Sequence, residues 1–352
     1  PTGLQRSPKI LTRPSWRITF YFLVMTLIEQ VAHYSKSHDL IRPKDIILIG
    51  VSGGADSVAL LYILYALKYS LGLSLYIAHF NHALRKNSYQ DALFVKKLAQ
   101  KLHLPFYMKT WQRKKAIRGS IEDNARQQRQ KFLMTIAKKV GAQKIALAHH
   151  KDDMAETVLM RILRGTGLQG LQGILPKKEL YGFTFIRPLL NTSRQDIEHF
   201  LKNNNLIFRT DPTNKKTDFF RNKIRLKLLP LLKKTYSPNI KELLIGLAET
   251  ASIDYDYLQS CAKTCFQKVA KISSSKKEIR LNLKKLQKMP DAILRMVIRE
   301  SLSTLKKDGY SLDLKHLKEI LDLYYHRPLN AIVHLPQGLK GYKKKTELIF
   351  SY

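Results

Sequence analysis

The stretch that decides the fold is "IILIGVSGGADSVALLYIL", residues 46–64. It begins with a run of β-branched and aliphatic residues, which predicts a short buried strand. A Gly-Gly pair interrupts this run, and the apolar residues after it extend over the length of a helix. The stretch therefore predicts a strand that turns sharply into a helix.

The turn itself has the chemistry of an anion site. Gly53 and Gly54 let backbone N–H groups approach a phosphate without a Cβ in the way, and Ser52 and Ser57 add hydroxyl donors. The helix that starts near Asp56 directs the positive end of its dipole to the same place. No Gly-Lys-Ser/Thr follows, so the loop is not of the Walker type. A tight turn without a ligand is the alternative that these residues alone leave open.

Strands and helices continue to alternate after this turn. We expect strands at residues 45–51, 73–80, 105–111 and 144–150, each followed by a stretch of helical period. This alternation implies right-handed crossovers and predicts an α/β fold, a doubly wound, Rossmann-like parallel sheet. Ligands bind at the carboxyl ends of the strands in such sheets. At those positions this chain has the polar segments "SGGADS", "HFNHALR" and "HHKDD".

The sequence pattern changes near residue 236. The chain from there on has helical period, and its end, "AIVHLPQGLKGYKKKTELIFSY", has strand character around a turn, which predicts a β-hairpin. We expect an α/β catalytic domain at 26–236 and a mainly helical domain at 237–352. Residues 1–25 are basic and contain no acid. They are interpreted as an amino-terminal extension outside the fold or as a targeting peptide.

The charge balance indicates a polyanionic partner. The 352 residues include 62 Lys and Arg against 27 Asp and Glu, a formal net charge of +35. Phosphate backbones are the commonest partner of such a surface, because each neutralised phosphate releases counterions. A lysine-rich composition that serves only solubility is the alternative. The two cysteines, Cys261 and Cys265, have helical spacing and are interpreted as free thiols of a reducing compartment.

The motifs together resemble a known family. "VSGGADS" is similar to the PP-loop of the N-type ATP pyrophosphatases, which split ATP between its α and β phosphates to adenylate a substrate. Within that superfamily the chain resembles the tRNA(Ile)-lysidine synthetases through segments spread over about residues 45–230. These segments are "HFNHALR", "IEDNARQQR", "AHHKDDMAETVLMRILRGTG", "IRPLL" and "DPTNKKTDFFRNKIR".

The resemblance implies a two-step ligation. ATP, with Mg²⁺, adenylates the carbonyl oxygen of the wobble cytidine in the isoleucine tRNA that has a CAU anticodon, and pyrophosphate leaves. The ε-amine of free L-lysine then displaces AMP, and the product pairs with A instead of G. The helical domain is expected to bind the tRNA, and the enzyme is expected in the cytoplasm of a bacterium, or in an organelle if residues 1–25 are a targeting peptide.

The resemblance also gives roles to single residues. Asp153 and Glu156 hold the substrate lysine, and His149 takes a proton from its amine. Arg129 and Arg221 belong to the lysine or adenylate site. The ATP site consists of residues in the first two loops, and Asp56 is also the candidate Mg²⁺ ligand; these residues are Ser52, Gly53, Gly54, Ala55, Asp56, Ser57 and Asn81.

Other roles, mostly structural ones, remain open for these residues. Asp153 and Glu156 lie at positions where acids also cap a helix start, and Asn81 lies where a turn-forming asparagine is common. A metal site made of the "HHKDD" side chains has suitable ligand types, but adjacent residues at a strand end point in different directions.

Two other functions compete with the ligase. A PP-loop tRNA thiolase uses cysteines near its ATP site or an iron–sulfur cluster, and no cysteine precedes Cys261 here. A non-enzymatic RNA-binding protein that retains the fold would be favoured by loss of the glycines or the acidic pair, and all of these are present.

Overall fold

The computed structural model describes residues 26–83, 88–112, 121–210, 220–273, 277–305 and 314–352. The chain forms two compact units. The first unit comprises Pro1–Asp153 and Leu175–Asn214, and the second comprises Met154–Ile174 and Lys215–Tyr352. The expected amino-terminal extension, residues 1–25, lies outside the described residues. The domain boundary near residue 236 stays a prediction.

The described strands form two sheets, one in each unit. In chain order the strands are β1 Ile46–Gly50, β2 Ser74–Asn81, β3 Phe106–Thr110, β4 Lys144–Ala146, β5 Lys177–Leu180, β6 Phe183–Ile186, β7 Ala270–Ser273, β8 Glu278–Asn282, β9 Ile332–His334, β10 Lys340–Lys343 and β11 Glu347–Ser351. The first sheet has the order β3-β2-β1-β4-β6-β5, and the second has the order β7-β8-β11-β10-β9.

The helices connect and cover these strands. In chain order they are α1 Leu27–Ser37, α2 Ala55–Leu71, α3 Ser88–Lys101, α4 Ile121–Val140, α5 Lys151–Leu163, α6 Leu168–Leu171, α7 Arg194–Asn203, α8 Phe220–Lys223, α9 Leu229–Thr235, α10 Ile240–Val269, α11 Leu283–Leu286, α12 Asp291–Leu305 and α13 Leu314–Tyr325. Between α8 and α9 the segment Ile224–Leu228 forms a wide π-helical turn, closed by a hydrogen bond from Leu229 N to Ile224 O.

The first sheet is covered on both faces because its strand residues alternate between two cores. Ile47 and Ile49 of β1 pack in the core that includes α1, α2 and α7, whereas Leu48 packs in the core that includes α4. Strands β1, β2, β3, β4 and β6 pair in parallel. The doubly wound fold expected from the sequence is confirmed.

The strand order explains where a ligand binds. From β1 the chain first moves outward through β2 and β3, and β4 then lies on the other side of β1. The order of the strands therefore reverses between β1 and β4, which is the position of the ligand crevice in doubly wound sheets. The Gly-Gly turn follows β1, and the "HHKDD" segment follows β4.

Two features of the first sheet differ from expectation. The fourth strand stops at Ala146 instead of continuing to His150. Beyond it, only a hydrogen bond of 2.9 Å from Leu147 N to Ile186 O continues the pairing. The antiparallel pair β5 and β6 was not expected, because strands of four residues are too short to show a clear alternation.

The second unit contains more strand than expected. The hairpin β10–β11 is present, as predicted, but it lies within a five-stranded antiparallel sheet. Two further strands of this sheet, β7 and β8, lie directly after α10, where the sequence indicated only helix. Strand β8 pairs with β11, almost seventy residues away, so its pairing has no local sequence signal.

Candidate active site

The loop after β1 has the geometry of an anion cradle. Ser57 Oγ accepts hydrogen bonds from the backbone N–H groups of Ser52, at 3.2 Å, and Gly53, at 3.1 Å. The same hydroxyl donates to Gly54 O at 2.9 Å. These N–H groups thus already converge on one oxygen at the amino terminus of the 17-residue helix α2. An oxygen of a phosphate fits this arrangement, because it offers the same acceptor with a negative charge.

Gly53 is required by the backbone of this loop. Its φ is +95°, a conformation that residues with a Cβ rarely adopt. An added Cβ would also lie 3.4 Å from Val95 Cγ2 and 3.5 Å from Phe94 Cδ1. The chain segment after α7 holds the loop from outside, since Arg209 N donates to Gly53 O at 2.9 Å. Arg209 Nε in turn pairs with Asp91 Oδ1 at 3.1 Å.

The carboxyl end of β2 carries buried polar groups without partners. His79 Nδ1 donates to Val51 O at 2.9 Å, but its Nε2 is buried and has no partner among the described residues. The same holds for His82 Nδ1 and Arg129 Nε. Buried polar groups without a hydrogen-bond partner are rare, and a ligand that binds there is one explanation for them. These nitrogens are available to hydrogen-bond a nucleoside at this edge of the sheet. Asn81, by contrast, forms a turn, since its Oδ1 accepts from Ala83 N at 2.9 Å.

His82 makes the stability of the protein depend on pH. Burial, the charge of Arg129 and the nearby His79 lower the pKa of His82 to about 4. In the unfolded chain this pKa lies near 6.5, so between these values only the unfolded state binds the proton. Stability is therefore retained above pH 6.5 and falls as the pH decreases toward 4, at a rate of at most about 1.4 kcal/mol per pH unit.

We expect His82→Gln to lose less stability between pH 7.5 and pH 5 than the wild-type chain does. Urea unfolding at the two pH values measures the difference. His33→Gln, which changes an exposed histidine of α1, is the matched control and should behave as the wild type does. Equal losses in all three proteins would contradict the assignment.

After β4, His150 is surrounded by carboxylates. Its ring is 4% exposed, with Nε2 at 3.5 Å from Asp153 Oδ2 and 3.7 Å from Asp56 Oδ1, and Nδ1 at 3.6 Å from Asp152 Oδ2. Burial alone would lower the pKa of His150, but Asp152, Asp153 and Asp56 together raise it above its usual value. The ring thus lies among three acids, and through Asp56 it connects the phosphate loop to the segment after β4.

Asp56 forms an ion pair with an arginine. Arg194 Nη1 donates to Asp56 Oδ1 at 2.6 Å, and the backbone N–H of Arg194 donates to Asp152 Oδ2 at 3.1 Å. Within the described residues, no group of three or more His, Cys, Asp or Glu side chains is arranged to hold a metal ion. A single carboxylate nevertheless fits Mg²⁺ in a nucleotide site, because that ion takes most of its ligands from phosphates and water.

His149 is in contact with a buried arginine. Its Nδ1 accepts a hydrogen bond of 3.3 Å from Arg187 Nε. Arg187 is 8% exposed and follows β6 directly, and its Nη1 donates to Leu175 O at 2.7 Å. Of the two adjacent histidines, His150 thus lies among acids and His149 contacts Arg187.

In the second unit, Glu156 holds two arginines. Its side chain is 2% exposed and accepts from Arg221 Nε at 2.8 Å. Arg225 donates to both carboxylate oxygens, through Nε at 2.5 Å and Nη2 at 2.9 Å. Arg221 ends the segment "FFR", and Arg225 lies in the wide turn that follows α8. Glu156 thus holds Arg225 by bidentate geometry and Arg221 by a further hydrogen bond.

The predicted site residues named below lie at three places in the structure: the loop after β1, helix α5 and the end of β2. Ser52, Gly53, Gly54, Ala55, Asp56 and Ser57 form the loop after β1 and the start of α2. Asp153 lies at the start of α5 with the first unit, and Glu156 lies farther along the same helix with the second unit. Arg129 joins His82 at the end of β2.

Sequence reasoning missed Arg187, Arg194 and Arg209, and it considered His150 only as part of an alternative metal site. The motifs "HHKDD" and "IRPLL" contain His150 and Arg187, but only the fold reveals their contacts.

Similarity to known proteins identifies the family of this chain. A family model described as a PP-loop domain matches residues 25–232, which defines the class of protein as one with a PP-loop ATP-binding domain. The tRNA(Ile)-lysidine synthase of Clostridioides difficile is 35% identical over 92% of this chain and 70% of its own length. That of Symbiobacterium thermophilum is 36% identical over 90% of this chain and 67% of its own. The chain therefore belongs to the tRNA(Ile)-lysidine synthase family, whose members are ligases.

A solved structure has the same fold at low identity. It is a U34-tRNA thiolase from Methanococcus maripaludis with an iron–sulfur cluster, which matches 64% of this chain and 78% of its own at a TM-score of 0.54 and 17% identity. This likeness concerns the fold alone. Among the described helices, none combines the length and the apolar character that a bilayer crossing requires.

Proposed function

We propose that this protein ligates lysine to the wobble cytidine of the isoleucine tRNA with a CAU anticodon, through an adenylated tRNA intermediate. The observation that supports it most directly is the cluster around His150, which links the phosphate loop through Asp56 to Asp153. Family membership supports the same reaction. ATP, free L-lysine and this tRNA are the proposed substrates, with Mg²⁺ as the proposed cofactor.

The first step requires the departing pyrophosphate to be held. The N–H groups of Ser52 and Gly53 converge on Ser57 Oγ and can turn their hydrogen bonds to phosphate oxygens. Arg209 is bonded to this loop and adds a positive charge beside it. Mg²⁺, with Asp56 as one ligand, would neutralise further phosphate charge. The buried nitrogens of His82 and Arg129 are the proposed contacts of the nucleoside.

The second step requires a bound lysine with a neutral amine. The carboxylate of Asp153 suits the ammonium group of the substrate lysine. Glu156 is the second acid that the resemblance assigns to lysine binding. Since Glu156 already accepts hydrogen bonds from Arg221 and Arg225, we propose that it acts on the substrate mainly by holding these arginines. Guanidinium groups fixed in this way suit the phosphate of the adenylate. The role proposed for His149, as acceptor of the amine proton, requires a ring nitrogen with an available lone pair.

The tRNA is proposed to bind through its backbone to the basic surface. The net charge is +35, and the second unit has exposed lysines in short runs such as Lys284, Lys285 and Lys288. Electrostatic contact of this kind is not specific for sequence, so the anticodon is read elsewhere.

We expect the affinity for tRNA to fall steeply with salt. Each neutralised phosphate contributes about −0.7 to −0.9 to the slope of log K against log salt, so six contacts weaken binding on the order of 10³-fold between 50 and 200 mM. Filter binding at several salt concentrations measures the slope. Substituting glutamine for both Lys284 and Lys288 should reduce it. An affinity for tRNA that does not change with salt concentration would contradict binding through the exposed lysines.

Release of pyrophosphate from ATP tests the proposed reaction. It is measured with and without lysine and a CAU-anticodon transcript, and the mass of the recovered tRNA identifies the product. Ligation of lysine only when all three substrates are present supports the synthase. Turnover that requires a sulfur donor would instead support a thiolase, and tight tRNA binding without turnover would support a non-enzymatic RNA-binding protein.

A further inference from the structure

The second unit contains a cavity beside its hydrophobic core. The volume of this cavity is about 370 Å³, within the range of small-ligand pockets and large enough for a nucleobase with its ribose. Its lining includes Leu286, Leu294 and Tyr324, which are buried in the core, so its interior is largely apolar. None of its described lining residues belongs to the proposed ATP or lysine site.

The more exposed lining residues include an acid, a phenol and an ammonium group. Tyr325 OH donates to Asp291 Oδ1 at 2.6 Å, and this bond raises the pKa of Tyr325 to about 12, so the phenol keeps its proton. Lys343 Nζ donates to Arg327 O at 2.9 Å, which uses one of its three N–H donors. The cavity thus offers acceptors and donors beside an apolar interior, which is the composition of a site for a polar aromatic ring.

Tyr325 provides a surface on which a flat ring can stack. Its own ring lies nearly perpendicular to that of Tyr324, at 73° with 4.7 Å between the two centroids. Tyr324 is buried, whereas Tyr325 is 47% exposed, so the inner ring supports the outer one and the outer one remains accessible. Unstacked bases of RNA commonly stack on tyrosines of this kind.

The carboxylate of Asp291 selects among the bases. Guanine presents two adjacent donors, N1–H and N2–H, on its Watson–Crick edge, and a carboxylate accepts both. Adenine and cytosine present one donor beside a ring nitrogen with a lone pair, and uracil has its one N–H between two carbonyl groups. Each of these lone pairs would face the negative charge. Asp291 can accept from guanine and from Tyr325 together, because a carboxylate has about four lone-pair sites.

Exposed lysines adjoin the residues that line the cavity. Lys284 follows the lining residue Leu283, Lys288 precedes the lining residue Met289, and Lys344 and Lys345 follow Lys343; all four are exposed. Positive charge of this kind attracts the phosphates on either side of a base. It therefore favours a segment of RNA as the occupant of the cavity.

We propose that this cavity binds one unpaired guanine of the tRNA, with the base stacked on Tyr325, its Watson–Crick edge on Asp291 and the neighbouring phosphates on the exposed lysines. The identity of the RNA rests on the proposed function, whereas the preference for guanine depends only on the cavity. This contact reads a base, which the electrostatic contacts of the basic surface do not.

Methyl NMR of the full chain, labelled with ¹³C in its methionine methyl groups, tests the preference without tRNA or turnover. Met289 lines the cavity, and its signal is assigned by its loss in Met289→Leu. We expect guanosine monophosphate to shift this signal and to saturate the site at a concentration about five- to tenfold lower than adenosine monophosphate, because the bidentate contact discriminates between the bases. The absence of a shift, or an equal response to both nucleotides, would overturn the proposal.

Two variants separate base recognition from a structural role. Asp291→Asn should abolish the preference for guanosine monophosphate. Tyr325→Phe, which breaks the same hydrogen bond but keeps the ring and the carboxylate, should retain it. If Asp291 only joined α12 to α13, both variants would destabilise the chain and neither would change the preference, and that result would overturn the proposal. Asp256→Asn, at an exposed position of α10, is the control.

Kethoxal, which reacts with N1 and N2 of unpaired guanines, tests the contact on the tRNA itself. We expect the wild-type chain to protect one guanine of the bound CAU-anticodon tRNA, and Asp291→Asn to leave this guanine reactive. Protection of no guanine in the bound tRNA, or the same protection by Asp291→Asn, would overturn the proposal even if lysine is ligated normally. Protection by the wild type without any ligation of lysine would instead contradict the proposed function alone, so the two failures are distinguishable.

Discussion

Asp153→Asn is expected to stop lysine transfer while pyrophosphate release continues, so that adenylated tRNA accumulates. The carboxylate of Asp153 accepts from His150 N at 3.1 Å and lies 3.5 Å from the ring of His150. Asparagine keeps the shape but removes the charge that attracts an ammonium group. Loss of one partner of a buried ion pair costs about 3 to 5 kcal/mol. Applied to the step of lysine attack, this corresponds to a decrease of about 10²- to 5 × 10³-fold in rate.

The mass of the tRNA after a single turnover measures this effect, because the adenylated intermediate and the lysidine product differ in mass. Asp254→Asn, at an exposed position of α10, is the matched control and should form product normally. Formation of lysidine at the wild-type rate by Asp153→Asn would exclude this carboxylate from lysine binding. Loss of pyrophosphate release together with transfer would move its role to the first step.

Glu156→Gln is expected to lower both the free energy of unfolding and the ligation rate. The side chain of Glu156 is 2% exposed, whereas Arg221 and Arg225 remain 30% and 37% exposed. Glutamine keeps one acceptor oxygen, but it removes the negative charge and brings an NH2 donor against the guanidinium groups. Water compensates part of this loss. We therefore expect a decrease of about 3 kcal/mol in the free energy of unfolding, at the low end of the values for buried pairs.

Urea unfolding measures the stability of this variant, and ligation assays well below the unfolding midpoint measure its activity. Glu249→Gln, which changes an exposed acid of α10, is the control and should shift stability by less than about 0.5 kcal/mol. A stable Glu156→Gln variant with normal activity would show that the arginines do not need this anchor.

The sequence was sufficient to predict strands β1 to β4 and the turn after β1, for identifiable physical reasons. β1 and α2 are strongly apolar and separated by Gly53 and Gly54, so each has a local signal. The strands β5, β6, β7 and β8 were missed because they contain only four or five residues, several of them charged, and because β8 pairs with the distant β11.

The site was predicted less completely than the fold. Residue types close to a motif identified Asp56, Asp153 and His149 as candidates. The contacts of His149 with Arg187 and of Asp152 with Arg194 involve residues about forty positions farther along the chain. No periodicity or spacing within the "HHKDD" motif contains that information, because the sheet and α7 bring these arginines into contact with it.

The wide turn at Ile224–Leu228 limits how this part of the chain can change. A turn closed between residues i and i+5 holds one residue more than a turn of an α-helix. Ile224 and Leu229, at its two ends, are both buried, although five residues on an α-helix would separate them by about 140°. Deleting one residue would rotate everything after it by about 100°. Either Leu229 would then leave the interior or the arginines would leave Glu156, so the length of this segment is constrained.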